Sequence, residues 1–333
     1  MTIRNGMSLL EICAGAGGQS LGLERAGFAH AAAIEIDRDA VETLRLNRPS
    51  WNVIQSDIRE LDGRDFRGID LLAGGVPCPP FSIAGKQLGS DDERDLFPQA
   101  LRLVAEARPA AVMLENVRGL ASARFANYRE SIIRTLEELG YRADWQLLYS
   151  SEYNVPQLRP RFILVAFEGE RLDDFNWPRP QGSPPTVGSV LGPLMGARGW
   201  KGVDGWIKAA NNIAPTLVGG SKKHGGADLG PTRAKEAWSR LRVNAKSLAE
   251  EAPGPDDPID HIPRLTNQMA ARVQGFSTDW CFAGRKTSVY RQIGNAFPPP
   301  VAEAVGTSIA SALGVNTLGT FCDSKAPKLR SVG

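Results

Sequence analysis

Residues 8–36 read SLLEICAGAGGQSLGLERAGFAHAAAIEI. Ser8 to Cys13 is an apolar run of strand length, and Ser20 to Ala26 carries a helical pattern. Between them, Cys13-Ala14-Gly15-Ala16-Gly17-Gly18 is a turn whose glycines let a ligand approach the backbone closely. Ala31 to Ile36 is a second strand. Strand, glycine-rich turn, helix and strand predict a parallel sheet with a ligand at its carboxyl edge. The turn is not a complete G-x-G-x-x-G fingerprint, which disfavours a nicotinamide cofactor. Glu35 closes the second strand at about the ~20-residue offset where an acid meets ribose hydroxyls. Asp57, in Gln55-Ser56-Asp57-Ile58 after a third strand, is placed to accept from an adenine amino group. A structural turn with two solvated acids explains each feature singly. Together and in this order they describe an adenosine pocket.

The alternation continues outward. Asp39 to Leu46 and Leu96 to Ala107 read as helices, and Val53 to Gln55, Ile69 to Ala73 and Ala111 to Leu114 as strands. A hairpin-like pair, Ala143 to Ser150 and Arg161 to Phe167, closes a doubly wound α/β pattern. From Asn176, prolines and glycines interrupt periodic structure. One helix is legible beyond them, Thr232 to Ala249, before a second break at Pro253 to Pro258. The 333 residues predict one large domain and a smaller one. An apolar fraction of 42% and a charged fraction of 23% are those of an ordinary globular protein.

With a net charge of +2, a nucleic-acid partner cannot be argued from the whole chain. The segment Gly196 to Lys246 is different. It carries Arg198, Lys201, Lys208, Lys222, Lys223, Arg233, Lys235, Arg240, Arg242 and Lys246 against Asp204, Asp228 and Glu236. Such a run is a solvated face or a phosphate-binding surface, and only its setting decides. Cys13, Cys78, Cys281 and Cys322 lack zinc-site or disulfide-framework spacing, which points to a reducing cytoplasmic setting. No stretch reads as an export signal or a membrane span.

The sharpest local signal is Gly74-Gly75-Val76-Pro77-Cys78-Pro79-Pro80-Phe81-Ser82. Prolines stiffen this loop and hold the Cys78 thiol out, whereas a lone cysteine is more often a small core residue. Glu115, in Leu114-Glu115-Asn116-Val117, follows an apolar run and emerges at the same sheet edge. Gln157-Leu158-Arg159-Pro160-Arg161 offers alternating guanidinium groups at the start of a strand.

These segments, with Arg264-Leu265-Thr266 and Gln292-Ile293-Gly294-Asn295-Ala296 after a variable region, resemble the DNA (cytosine-5)-methyltransferase family of bacterial restriction-modification type. The resemblance spans nearly the whole chain. It implies a Rossmann-like S-adenosylmethionine-dependent methyltransferase domain (α/β) with a smaller target-recognition domain. The expected division is 1–177 for catalysis and cofactor binding and 178–282 for target recognition. Residues 283–322 would return to the first domain, and 323–333 form a tail.

By the resemblance, Cys78 attacks C6 of a flipped cytosine, Glu115 holds or donates a proton at N3, and Arg161 binds O2. Arg159 supports the loop and the thiolate. The cofactor is S-adenosylmethionine, held by Cys13, Ala14, Gly15, Gly17, Gly18, Glu35, Ile36, Asp57, Ile58, Pro77, Leu96, Asn295 and Ala296. Double-stranded DNA is the partner, contacted by Ser82, Lys222, Lys223, Arg233, Arg264 and Thr266. No metal is implied, a cognate restriction endonuclease is left open as a further partner, and a monomer is the simplest assembly.

The sequence departs from the family pattern where Cys13 and Ile36 replace aromatic residues, and where Pro79 and Pro80 follow the cysteine. Three rival readings stand beside this one. A transfer-RNA cytosine-5 methyltransferase shares the segments but has no need of the long basic region. A silent DNA-binding relative would lack Cys78 or Glu115. An oxidoreductase would leave the Pro-Cys loop without a role.

Overall fold

The computed structural model describes residues 6–77, 95–219 and 228–314; Cys78, Ser82, Lys222, Lys223 and the tail from Asp323 lie outside the described residues. Seven strands form one sheet: β1 Met7–Ile12, β2 Phe28–Glu35, β3 Val53–Gln55, β4 Leu71–Gly75, β5 Ala111–Val117, β6 Tyr141–Tyr149 and β7 Pro160–Glu168. Their order is β3-β2-β1-β4-β5-β7-β6. β1 pairs in parallel with β2 and with β4, and β4 in parallel with β5. β7 inserts antiparallel to both β5 and β6, so the hairpin-like pair is real. Winding reverses between β1 and β4, and the carboxyl ends of these strands open a crevice there.

The strands are nearly continuous apolar runs because helices cover both faces. On one face Leu9, Leu71, Ala73, Met113 and Ile163 pack toward α1 (Gly18–Arg25) and α10 (Pro299–Ala312). On the other, Leu10, Ile12, Leu72, Val112 and Leu114 pack toward α3 (Phe97–Ala107) and α4 (Ala126–Glu138). This is the period-two alternation of strand side chains. α10 lies hard against α1: a Cβ on Gly22 would sit 2.4 Å from the Pro299 carbonyl oxygen. The C-terminal helix therefore roofs the first βαβ unit.

A third core joins the remaining helices. α5 (Val187–Met195), α6 (Val203–Ala209), α7 (Thr232–Arg240), α8 (Asn267–Val273) and α9 (Lys286–Asn295) bury Leu191, Trp206, Trp238, Met269 and Tyr290. The same core includes Ala14 and Leu21 of the first unit and Val41 and Leu44 of α2 (Arg38–Asn47).

Two readings need correction. The helix expected over Thr232 to Ala249 stops at Arg240, because Arg242 takes a left-handed φ of 56° and the chain turns to bury Val243, Ala245 and Leu248. The strand expected over Ala111 to Leu114 continues to Val117, since pairing with β7 extends to Val117 opposite Arg161. Among the described residues no helix is long and apolar enough to cross a membrane.

Candidate active site

A cavity of about 390 Å³ opens at the carboxyl ends of β1, β2 and β4. Its floor is the glycine turn, held in shape by Ala14 N–H to Ile34 O (3.0 Å) and Gly17 N–H to Ala14 O (3.2 Å). Left-handed φ values at Gly15 (57°) and Gly17 (85°) make the turn possible. Glu35 organises this end. Its Oε2 accepts from Gly15 N (2.8 Å) and its Oε1 from Asp37 N (2.7 Å). Each oxygen keeps a further lone pair, so the carboxylate fits a ribose diol.

Burial pushes the Glu35 carboxyl above the usual glutamate range, against the downward pull of the Asp37, Gly15 and Ile36 N–H groups. Asp57 lines the wall with Ile58 and is braced by Arg59 at 2.9 Å. Ile36 lines the lip and is 62% exposed, an apolar surface open to a planar ligand. Burial, then Glu35 and Asp57, push the Cys13 thiol far up. Cys13 is therefore a neutral packing group and no nucleophile.

The far end of the cavity is charged. Glu115, near the end of β5, lies 2.6 Å from Arg161 Nε in a nearly buried ion pair. Gly75 lies close beside it: a Cβ there would come 3.2 Å from Glu115 Oε2, so a side chain would push on that carboxylate. Asn116 donates to Val76 O at 2.7 Å, and Leu96 N–H donates to Pro77 O at 3.1 Å. These bonds pin the chain on either side of the segment that begins with Cys78.

Arg159 behaves differently from Arg161. It is fully buried and donates to the carbonyls of Leu217 (2.8 Å), Gly294 (2.9 Å) and Ala296 (2.8 Å). Burial, followed by the neighbouring Arg161, pulls its pKa downward.

The model of the C-5 cytosine-specific DNA methylase family matches residues 7–311. The type II methyltransferase M.NaeI of Lentzea aerocolonigenes is 56% identical over 317 residues, covering 94% of this chain and 77% of the relative. The type II methyltransferase M.NgoMIV of Neisseria gonorrhoeae is 54% identical over 308 residues, covering 91% of this chain and 97% of that one. This chain belongs to the C-5 cytosine-specific DNA methylase family. In fold, the methylase is similar to the S. pombe Dnmt2 methyltransferase, with a TM-score of 0.64 at 16% identity. That comparison covers 93% of this chain and 100% of the other. The methylase uses S-adenosylmethionine and methylates cytosine in DNA.

Of the residues expected at the cofactor, all line the methylase cavity except Gly17, which shapes the turn behind it. Asn295 and Ala296 arrive from the end of α9. Of the expected DNA contacts, Arg233 is exposed on α7, and Arg264 is exposed with a bond to Ser247 Oγ (3.1 Å). Thr266 is half-buried, and its hydroxyl caps α8 by accepting from Met269 N at 3.2 Å. Arg291, Gln292 and Phe297 also line the cavity of the methylase. Only the alternation of charged and apolar residues around Gly294 could have signalled them, and an amphipathic helix shows the same alternation.

Proposed function

We propose that the methylase extrudes a cytosine from a short duplex site and methylates it through a covalent adduct with Cys78. The observation that carries this reading is the Glu115–Arg161 pair at 2.6 Å, whose Glu115 lines the cavity together with Pro77, the residue before Cys78.

Cytosine C5 is too weak a nucleophile to take a methyl group unaided. Addition of the Cys78 thiolate to C6 forms a carbon–sulfur bond and moves electron density to C5. Glu115 shares a proton with N3, which offsets the charge gathering in the ring, and Arg161 binds O2. S-adenosylmethionine supplies the methyl group as an electrophilic sulfonium substituent. Loss of the C5 proton to a base then expels Cys78 and restores the aromatic ring. Extrusion of the base costs about a few kcal/mol, which phosphate and groove contacts offset.

The contacts are assigned to residues 178–282, the proposed recognition domain, with Lys222, Lys223, Arg233 and Arg264 among them. Relatives named type II methyltransferases support a role in a restriction-modification system. In this proposal the methylase acts as a cytoplasmic monomer beside a cognate endonuclease. The test is incubation with tritiated S-adenosylmethionine and either duplex DNA or transfer RNA, followed by nucleoside analysis. A duplex carrying 5-fluorocytosine should trap the wild-type protein covalently but not Cys78→Ser. Label confined to RNA, or trapping that survives Cys78→Ser, refutes the proposal.

A further inference from the structure

The glycine turn of the cavity is built from residues with little conformational preference of their own. Gly15 and Gly17 hold left-handed φ values, and Gly17 precedes α1 as its N-cap without any side-chain hydrogen bond. Besides the local bonds to Ile34, Ala14 and Glu35, a contact from 264 residues away holds this turn. Trp280, which is 6% exposed, donates its indole N–H to Ala16 O at 3.1 Å. The partner group of the same peptide plane, Gly17 N–H, is taken by Ala14 O at 3.2 Å. Both polar groups of the Ala16–Gly17 peptide are therefore engaged, and the plane cannot flip without breaking two bonds. The ring also closes over the turn: a Cβ on Gly17 would lie 2.6 Å from Trp280 Cζ2.

Trp280 is itself clamped. Arg48, fixed to Glu24 by bonds of 2.8 and 2.9 Å, stacks over the indole at 5.3 Å. Phe276 packs against it at 6.0 Å. The next residue is tied to α2 in both directions. Cys281 N–H donates to Asn47 Oδ1 (2.9 Å), and Asn47 Nδ2 donates to Cys281 O (2.6 Å).

We infer that Trp280 is a positioning residue for the cofactor, fixing the Ala16–Gly17 peptide and so preorganising the backbone wall of the cavity. The inference rests on reading the cavity as the S-adenosylmethionine site. A wall that is ordered before binding spares the ligand the entropy of ordering it, so loss of Trp280 raises the dissociation constant and leaves bond-making untouched.

Calorimetric titration of the full chain with S-adenosylhomocysteine, the inert product, tests this. Trp280→Phe keeps most of the ring and removes the donor. It should weaken binding about fivefold, the loss of one net hydrogen bond. KM for S-adenosylmethionine should rise while kcat stays within about twofold. Hydrogen exchange across Gly15 to Leu21 should quicken in the ligand-free variant. Unchanged affinity with unchanged exchange overturns the inference. Should Trp280→Phe fail to fold, Asn47→Ala releases the Cys281 backbone without touching the cavity and must weaken binding in the same direction. An unchanged affinity there also overturns it. A wild-type protein that takes up no S-adenosylhomocysteine instead refutes the reading of the cavity, which is a separate failure.

Discussion

Glu35 and Glu115 stand at opposite ends of one cavity and are held by opposite means. Glu115 faces a guanidinium at 2.6 Å, whereas Glu35 is surrounded by backbone N–H groups. In the proposed mechanism Glu115 acts only once the ring is charged. Glu115→Gln should therefore lower kcat by about a hundredfold or more while S-adenosylhomocysteine binds as before. A kcat within tenfold of wild type would remove Glu115 from the chemistry. For Glu35 the test is pH. Its carboxyl is raised by burial, so in the empty cavity it takes up a proton at higher pH than an ordinary glutamate. The protonated form has lost an acceptor for the ribose hydroxyls, so cofactor affinity should fall as pH drops through that raised value and recover above it. Titrations with S-adenosylhomocysteine from the ordinary glutamate range up through neutral pH should show this slope, and Glu35→Gln should flatten it. A wild-type affinity that does not change over this range would separate Glu35 from the ligand.

Individual elements were legible in the sequence to the extent that burial, and nothing else, decided them. β1 and β5 are covered on both faces, so their apolar runs announced them, and Glu35 could be placed at the end of β2 and Glu115 at the same sheet edge from the sequence. α5 was hidden because Gly188 and Gly192 permit contact with Ile207 of α6, and such glycines read as loop. The end of α7 was hidden because a left-handed Arg242 has no compositional mark. The carbonyl partners of Arg159 were hidden for a related reason: its alternation with Arg161 says that the two point differently, but not that Arg159 points at three carbonyls. Those carbonyls belong to Leu217 in the chain after α6 and to the end of α9, so Arg159 ties both to the start of β7. Arg159→Leu would take this donor from the Leu217 and Gly294 carbonyls, while Ala296 O keeps its bond from Gln274, at a cost of about 3 kcal/mol. The expected outcome is a melting temperature lower by several degrees, read by calorimetry, and a change of less than a degree would show that the tie contributes little.

For the whole molecule, a net charge of +2 must be reconciled with a polyanionic substrate. The structure narrows the sequence's basic block by removing cations that already have partners. Arg198 pairs with Glu251 at 2.5 Å, and Lys235 with Asp228 at 2.8 Å. Lys201, Lys208, Arg233, Arg240 and Lys246 are exposed and have no ion-pair partner among the described residues. They come from α6 and the turn before it and from α7 and the turn after it, and these elements pack around the buried Trp206 and Trp238. These exposed cations without acidic partners are gathered on one unit, and electrostatic attraction to a polyanion would act through it. Each phosphate contact releases counterions and adds about 0.9 to the slope of log affinity against log salt. Replacing both Arg233 and Arg240 by Glu should therefore lower that slope by up to about two units and weaken binding to every duplex alike. Lys235→Glu, which breaks a pair that is already neutral, should change the slope less. If the double variant keeps the wild-type slope, these cations are an ordinary solvated face, and the phosphate contacts must be sought at the arginines that border the cavity.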